Sequence, residues 1–110
     1  MCKLLRLEDI LKCSFGLNKT EIAILKYLLE EKEEKTIEEI KLQIAKDRTT
    51  IQRAVKHLFE KDLIIRRQRN LEKGGYIFVY SSAPKQELKD KVYKIFESFK
   101  EKVGEEIRTW

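Results

Sequence analysis

From the N-terminus to about residue 61, apolar residues recur every three or four positions, a spacing that predicts helices rather than strands. Leu4, Leu5, Leu7, Ile10 and Leu11 predict a short first helix ending near Ser14-Phe15-Gly16. Asn18, with Glu21 three residues on, has the spacing of a capping box, in which each residue's side chain takes up a free backbone N–H of the other. The helix it opens carries Ile22, Leu25, Leu28 and Leu29 on one face and runs to about Lys32. The Glu/Lys run at 30–35 is expected to be its solvated end and a loop. Thr36 and Glu39 repeat the capping pattern before a short helix with Ile37, Ile40 and Ile44 inward. After a break at Ala45-Lys46, Asp47 caps a further helix with Ile51, Val55 and Leu58 inward, ending near Lys61. Two helices separated by so few residues make a helix-turn-helix.

The period then changes. Leu63-Ile64-Ile65-Arg66-Arg67-Gln68-Arg69 is β-branched and then basic, Asn70 to Gly75 is rich in turn residues, and Tyr76-Ile77-Phe78-Val79-Tyr80 is aromatic and β-branched. Together these predict a two-stranded hairpin with an exposed basic arm, its Gly-Gly supplying positive φ. Pro84 suits the first turn of a last helix reaching about Thr109. Leu88, Val92, Ile95, Phe99, Val103, Ile107 and Trp110, with Phe96 alongside, form one stripe along it. A helix of about 25 residues spans roughly 37 Å, more than a globule this small covers. An uncovered stripe of large apolar groups marks an interface. The expected fold class is therefore mainly α with a small β-hairpin (α+β), a winged helix-turn-helix with a long C-terminal dimerisation helix. Three segments are expected: an N-terminal packing or dimer helix (1–16), a winged-helix domain (17–83) and the terminal dimerisation helix (84–110).

Composition narrows the class. The chain has 110 residues, 42% hydrophobic and 39% charged, the latter well above the ~25% of an ordinary domain. No apolar run approaches the ~18–20 residues of a membrane span, and acids interrupt the apolar N-terminus, so no signal peptide is expected. A cytoplasmic location and no membrane partner follow. Abundant Glu, Lys and Ile with few Asn and Gln suit a thermophile. Cys2 and Cys13 lack metal-ligand spacing and His57 is the only histidine, so no metal or cofactor is expected. Both thiols are expected free in a reducing compartment, with Cys13 a small core or interface residue. His57 has no activating partner in the sequence, and no Ser-His, Cys-His or clustered-carboxylate arrangement stands out, so no enzyme is expected.

Charge decides more than composition does. The net charge is +5. Nine bases and four acids lie between Lys46 and Lys73, so this stretch holds the whole excess. A local basic patch is the footprint of a polyanion partner. Opposite its inward positions, the helix after Asp47 presents Arg48, Thr49, Thr50, Gln52, Arg53 and Lys56. Arg can be bidentate to guanine, Gln to adenine, and a Thr methyl can touch thymine. Arg53 and Lys56 suit phosphate. Arg66, Arg67, Arg69 and Lys73 of the hairpin suit flanking phosphates or a minor groove.

Residues 17–83 resemble the winged-helix domains of MarR and TrmB-like transcriptional regulators of archaea and bacteria. Leu17-Asn18-Lys19-Thr20-Glu21-Ile22 is similar to the family's approach to its first conserved helix. The block from Arg48-Thr49-Thr50-Ile51-Gln52-Arg53-Ala54-Val55 through Leu63-Ile64-Ile65-Arg66 resembles the family's reading helix and the start of its wing. The resemblance implies that Thr49, Thr50, Gln52 and Arg53 face DNA and that terminal helices dimerise. Ala45 and Asp62 stand where the family pattern has glycine. The expected partners are double-stranded DNA and a second copy of the chain, on a palindromic site. A cleft between the DNA domain and the terminal helix is the expected place for any small-molecule effector, though no residue announces one. The rival reading is a winged helix used for protein contacts in the transcription machinery, without specific DNA recognition. Tyr76, Phe78 and Tyr80, alternating on one strand face, are expected to be core under the wing rather than a stacking platform for single-stranded bases.

Overall fold

A computed structural model describes residues 6–110. Leu4 and Leu5 of the expected first helix, and Cys2, lie outside the described residues. The elements run α1 (Leu7–Phe15), α2 (Lys19–Glu30), α3 (Ile37–Ile44), α4 (Arg48–Glu60), β1 (Ile64–Asn70), β2 (Tyr76–Ser82) and α5 (Lys85–Thr109). This is the expected winged helix-turn-helix, with a long C-terminal helix.

Local chemistry sets the boundaries. Asn18 accepts from the Glu21 N–H at 2.8 Å, and Glu21 accepts in turn from the Asn18 N–H at 2.9 Å. Thr36 and Glu39 make the same reciprocal pair at the head of α3. Each such cap contributes on the order of 1 kcal/mol. α1 ends on Gly16 at φ 65°. α3 ends on Ala45 at φ 60°, and Asp62, between α4 and β1, sits at φ 59°. Both positions thus keep the left-handed backbone that glycine would adopt without strain.

Leu17–Ala83 form one compact unit. At its centre Ile24 and Leu25 of α2, Ile40 of α3, Ile51 and Leu58 of α4, and Leu63 are fully buried. The inward positions read for α4, Ile51, Val55 and Leu58, are buried, and Ala54 is buried with them. α3 contributes less than its pattern suggests, because Ile37 and Ile44 are only half-buried. β1 and β2 pair antiparallel from Ile64↔Ser82 to Asn70↔Tyr76. The run at 30–35 is more than a solvated loop. The Lys35 N–H donates to the Tyr80 carbonyl at 2.8 Å and the Tyr80 N–H to the Lys35 carbonyl at 2.7 Å, adding a bridge beyond β2.

Pro84–Trp110 and the described residues up to Gly16 form the second unit, in which α1 packs against α5. Leu11, Phe15 and Leu88 are buried. The expectation of a free thiol at Cys13 is overturned, since Cys13 is disulfide-bonded. Compartment chemistry argues for reduced thiols in general and is silent on which sulfurs the fold brings together. No described helix is long and apolar enough to cross a membrane.

Candidate nucleic-acid interface

The candidate surface begins with how α4 is started. Asp47 accepts from the backbone N–H of Thr50 at 3.1 Å and from its hydroxyl. The Thr50 hydroxyl, then its N–H, holds the Asp47 carboxyl below the usual range. Thr50 is therefore half-buried and engaged in the cap, whereas Arg48, Thr49, Gln52, Arg53 and Lys56 are exposed on the outer face. Arg48 is ion-paired with Glu38 of α3. Arg53 and Lys56 make no ion pair among the described residues.

The hairpin supplies the second set of cations. Residues opposite each other in an antiparallel pair share a sheet face. One face therefore carries Arg66, Gln68, Tyr76, Phe78 and Tyr80, and the other Ile65, Arg67, Arg69, Ile77 and Val79. Arg67 reaches Glu34 at 3.5 Å. Arg69 and Lys73 make no ion pair among the described residues. Glu39 is held below the usual carboxylate range, first by the Thr36 N–H; Lys35 and Arg69 act in the same direction. Arg66 is placed differently from its neighbours. Its guanidinium carbon lies 4.6 Å from the Phe59 ring centre and 4.4 Å from that of Phe78, between α4 and β2. The same charge lies near Tyr80, whose hydroxyl is pushed up by burial and drawn partly back by Arg66.

Between the outer face of α4 and the aromatic face of the hairpin runs an open groove of about 500 Å³. Arg48, Gln52, Lys56 and Phe59 of α4 line it together with Arg66, Tyr76 and Phe78 of the hairpin, and Thr36, Ile37 and Glu38 at the head of α3 complete the lining. It brings together four of the ten expected DNA-binding residues; Thr49, Thr50, Arg53, Arg67, Arg69 and Lys73 lie outside its lining. The aromatic face read as core is graded instead. Tyr80 is buried, Phe78 half-buried and Tyr76 55% exposed, while the best-buried β2 side chain is Val79 on the opposite face. Alternation identified a shared face but not which face meets the body.

One contact escaped the sequence altogether. His57, read as partnerless, is hydrogen-bonded through Nδ1 to the buried carboxylate of Glu21, whose other oxygen caps α2. Glu21 thus ties α2 to α4 as well as capping its own helix. The pair is 36 residues apart in sequence, so no local pattern reveals it.

In the second unit, the apolar stripe of α5 divides. Leu88 is buried, and Val92, Ile95 and Phe96 are half-buried. Phe99, Val103, Ile107 and Trp110 are exposed, at 62%, 39%, 60% and 101%.

Comparison with known proteins gives the same picture. The family described as "Sugar-specific transcriptional regulator TrmB" matches residues 11–94. The uncharacterized protein MJ1503 of Methanocaldococcus jannaschii is 32% identical over 98 residues, covering 89% of this chain and 74% of the relative. A possible transcriptional regulator from Methanosarcina mazei Go1 superposes with a TM-score of 0.88 at 32% identity, covering 99% of this chain and 92% of that one. The Staphylococcus aureus MarR structure shares the fold, with a TM-score of 0.58 at 23% identity over 90% of this chain and 64% of that one. The family is described as one of transcriptional regulators, and the Methanosarcina neighbour as a possible one. The capped α4, the basic hairpin beside it and a family match across most of the chain's length agree: the chain belongs to the TrmB family of transcriptional regulators.

Proposed function

We infer that this regulator binds double-stranded DNA sequence-specifically, as a homodimer on a palindromic site in the cytoplasm. The observation that carries the reading is the groove between α4 and the hairpin, with cations from both. α4 enters a major groove by its first turns, Gln52 and Thr49 meet base edges, and Arg53 and Lys56 meet phosphate. The backbone strand next to that groove lies between α4 and the hairpin, whose Arg69 and Lys73 extend the contact to neighbouring phosphates or a minor groove.

Support for the homodimer comes from the exposed end of the α5 stripe, where Phe99, Val103, Ile107 and Trp110 are left without apolar cover in a single chain. Covering them with a second α5 removes that apolar surface from water. Two-fold symmetry then presents two copies of α4 to half-sites about one DNA turn apart.

The test is selection of bound duplexes from a random pool, followed by binding at several salt concentrations. A palindromic consensus with affinity falling steeply in salt is the expected result. Recovery of no consensus, with weak binding indifferent to sequence, would leave the chain a protein-contact module.

A further inference from the structure

Arg66 belongs to the basic hairpin, yet it is engaged unlike any other cation of the surface. Its guanidinium carbon lies over two rings from different elements, 4.6 Å from the centre of Phe59 of α4 and 4.4 Å from that of Phe78 of β2. Both distances are well inside the ~6 Å reach of a cation–π contact. A planar guanidinium has two faces and can stack on both rings, whereas a compact ammonium cannot. Below this point the hairpin is held by its root: the Leu63 N–H donates to Leu58, the Ala83 N–H to Leu63, and Lys35 bridges Tyr80. Above it every residue from Arg67 to Tyr76 is exposed, and the ion pair of Arg67 with Glu34 ties the hairpin to the segment before α3 rather than to α4. The stack is therefore the outermost tie between the hairpin and α4.

We propose that Arg66 is a positioning residue that clamps the hairpin to α4, setting the width of the groove between them and the reach of Arg69 and Lys73, rather than a phosphate contact in its own right. This rests on reading the groove as the DNA-facing surface. The two roles differ in what a lysine can replace. A phosphate contact needs a positive charge and tolerates lysine. A clamp needs the flat fork and the two rings.

The experiment measures how duplex affinity depends on salt for the wild-type chain, Arg66→Lys, Arg66→Gln and Phe78→Leu, with thermal melts run in parallel to confirm folding. Removing one phosphate ligand lowers the slope of log affinity against log salt by ~0.9. A loosened hairpin gives up Arg69 and Lys73 together. Arg66→Lys is therefore expected to weaken binding at least tenfold and to lower the slope by about 2 per protomer, with Phe78→Leu, which alters no charge, doing the same. Arg66→Lys within twofold of wild type, or a slope lowered only in Arg66→Gln and by about one, overturns the proposal.

Amide hydrogen exchange of the free chain provides a second readout. The clamp predicts exchange at least tenfold faster across residues 66–76 in Arg66→Lys, with α4 unchanged. Unaltered exchange there refutes the clamp even if Phe78→Leu fails to fold. If the wild-type chain binds no duplex, the function proposed above fails, and the exchange result alone decides whether the clamp exists.

Discussion

Ala45 offers a direct test of how the turn between α3 and α4 is held. It caps α3 at φ 60° and ψ 46°, a left-handed conformation that crowds Cβ against the following carbonyl. The strain for an L-residue there is ~1–2 kcal/mol. Ala45→Gly removes it but gives the unfolded chain more freedom, which costs about 0.4–1 kcal/mol. Ala45 is exposed, so the substitution removes no packed methyl, and the bond from its N–H to the Lys41 carbonyl at 2.9 Å does not depend on the side chain. The net expectation is a gain of about 0.5–1 kcal/mol, or a melting temperature raised by roughly 3–5 °C. Urea denaturation followed by circular dichroism should show the midpoint shifting upward with an unchanged slope. Duplex affinity should stay within twofold, because the turn already has the geometry glycine would adopt. The control is Ala54→Gly, buried in the middle of α4, which should lose ~1 kcal/mol or more. An Ala45→Gly chain no more stable than wild type would show that the strain is relieved in some way the backbone angles do not reveal.

Three further outcomes follow from the same structure. Arg53→Ala should weaken binding to all duplexes, reducing the salt slope by ~0.9 per protomer, whereas Gln52→Ala should change the preferred sequence; an unaltered consensus in Gln52→Ala would refute the assignment of base reading to this face of α4. Light scattering should give about twice the 13.2 kDa chain mass for wild type and the monomer mass for Phe99→Glu/Ile107→Glu, since a charge buried without a partner is strongly unfavourable at an apolar contact; a wild-type monomer at micromolar concentration would remove the half-site argument. Because the folded Asp47 carboxyl titrates below its ordinary value, its stabilising effect is complete above the unfolded carboxyl's pKa of about 4 and is lost as the pH falls through the folded value. Asp47→Asn should accordingly show a shallower loss of melting temperature on acidification than wild type, and parallel curves would show that the cap's charge does not matter.

What could be read from the sequence followed the range of each signal. Both capping boxes, the core face of α4 and the change of period at Leu63 depend on residues within a turn or two of each other, and all stand in the fold. The hairpin's aromatic alternation gave the shared face but not its orientation, because burial depends on what the rest of the chain places beneath it. Thr50 faces the right side of the helical wheel yet is engaged by Asp47, a competition between cap and surface that spacing does not resolve. The Lys35 bridge to Tyr80, the Glu21–His57 pair and the stacking of Arg66 on Phe59 and Phe78 each join residues from different elements, and pattern within one segment carries no trace of them. Net charge marks the basic stretch but does not tell its arginines apart, whereas the structure distinguishes one set against two aromatic rings, two ion-paired ones and two with no ion pair among the described residues.

The two paired arginines have a kinetic consequence. Glu38 beside Arg48 and Glu34 beside Arg67 act as resident counterions fixed to the protein itself. On the function proposed above, each phosphate that takes one of these arginines frees a cation from the duplex but leaves a bare carboxylate that attracts one, so the net ion release, and with it the pull toward bulk polyanion, is smaller than nine bases in one stretch would suggest. Random sequence is then expected to be held loosely and released quickly. If the proposed function holds, such a regulator is expected to scan a genome crowded with decoys and to settle only where base contacts make the exchange of partners worthwhile.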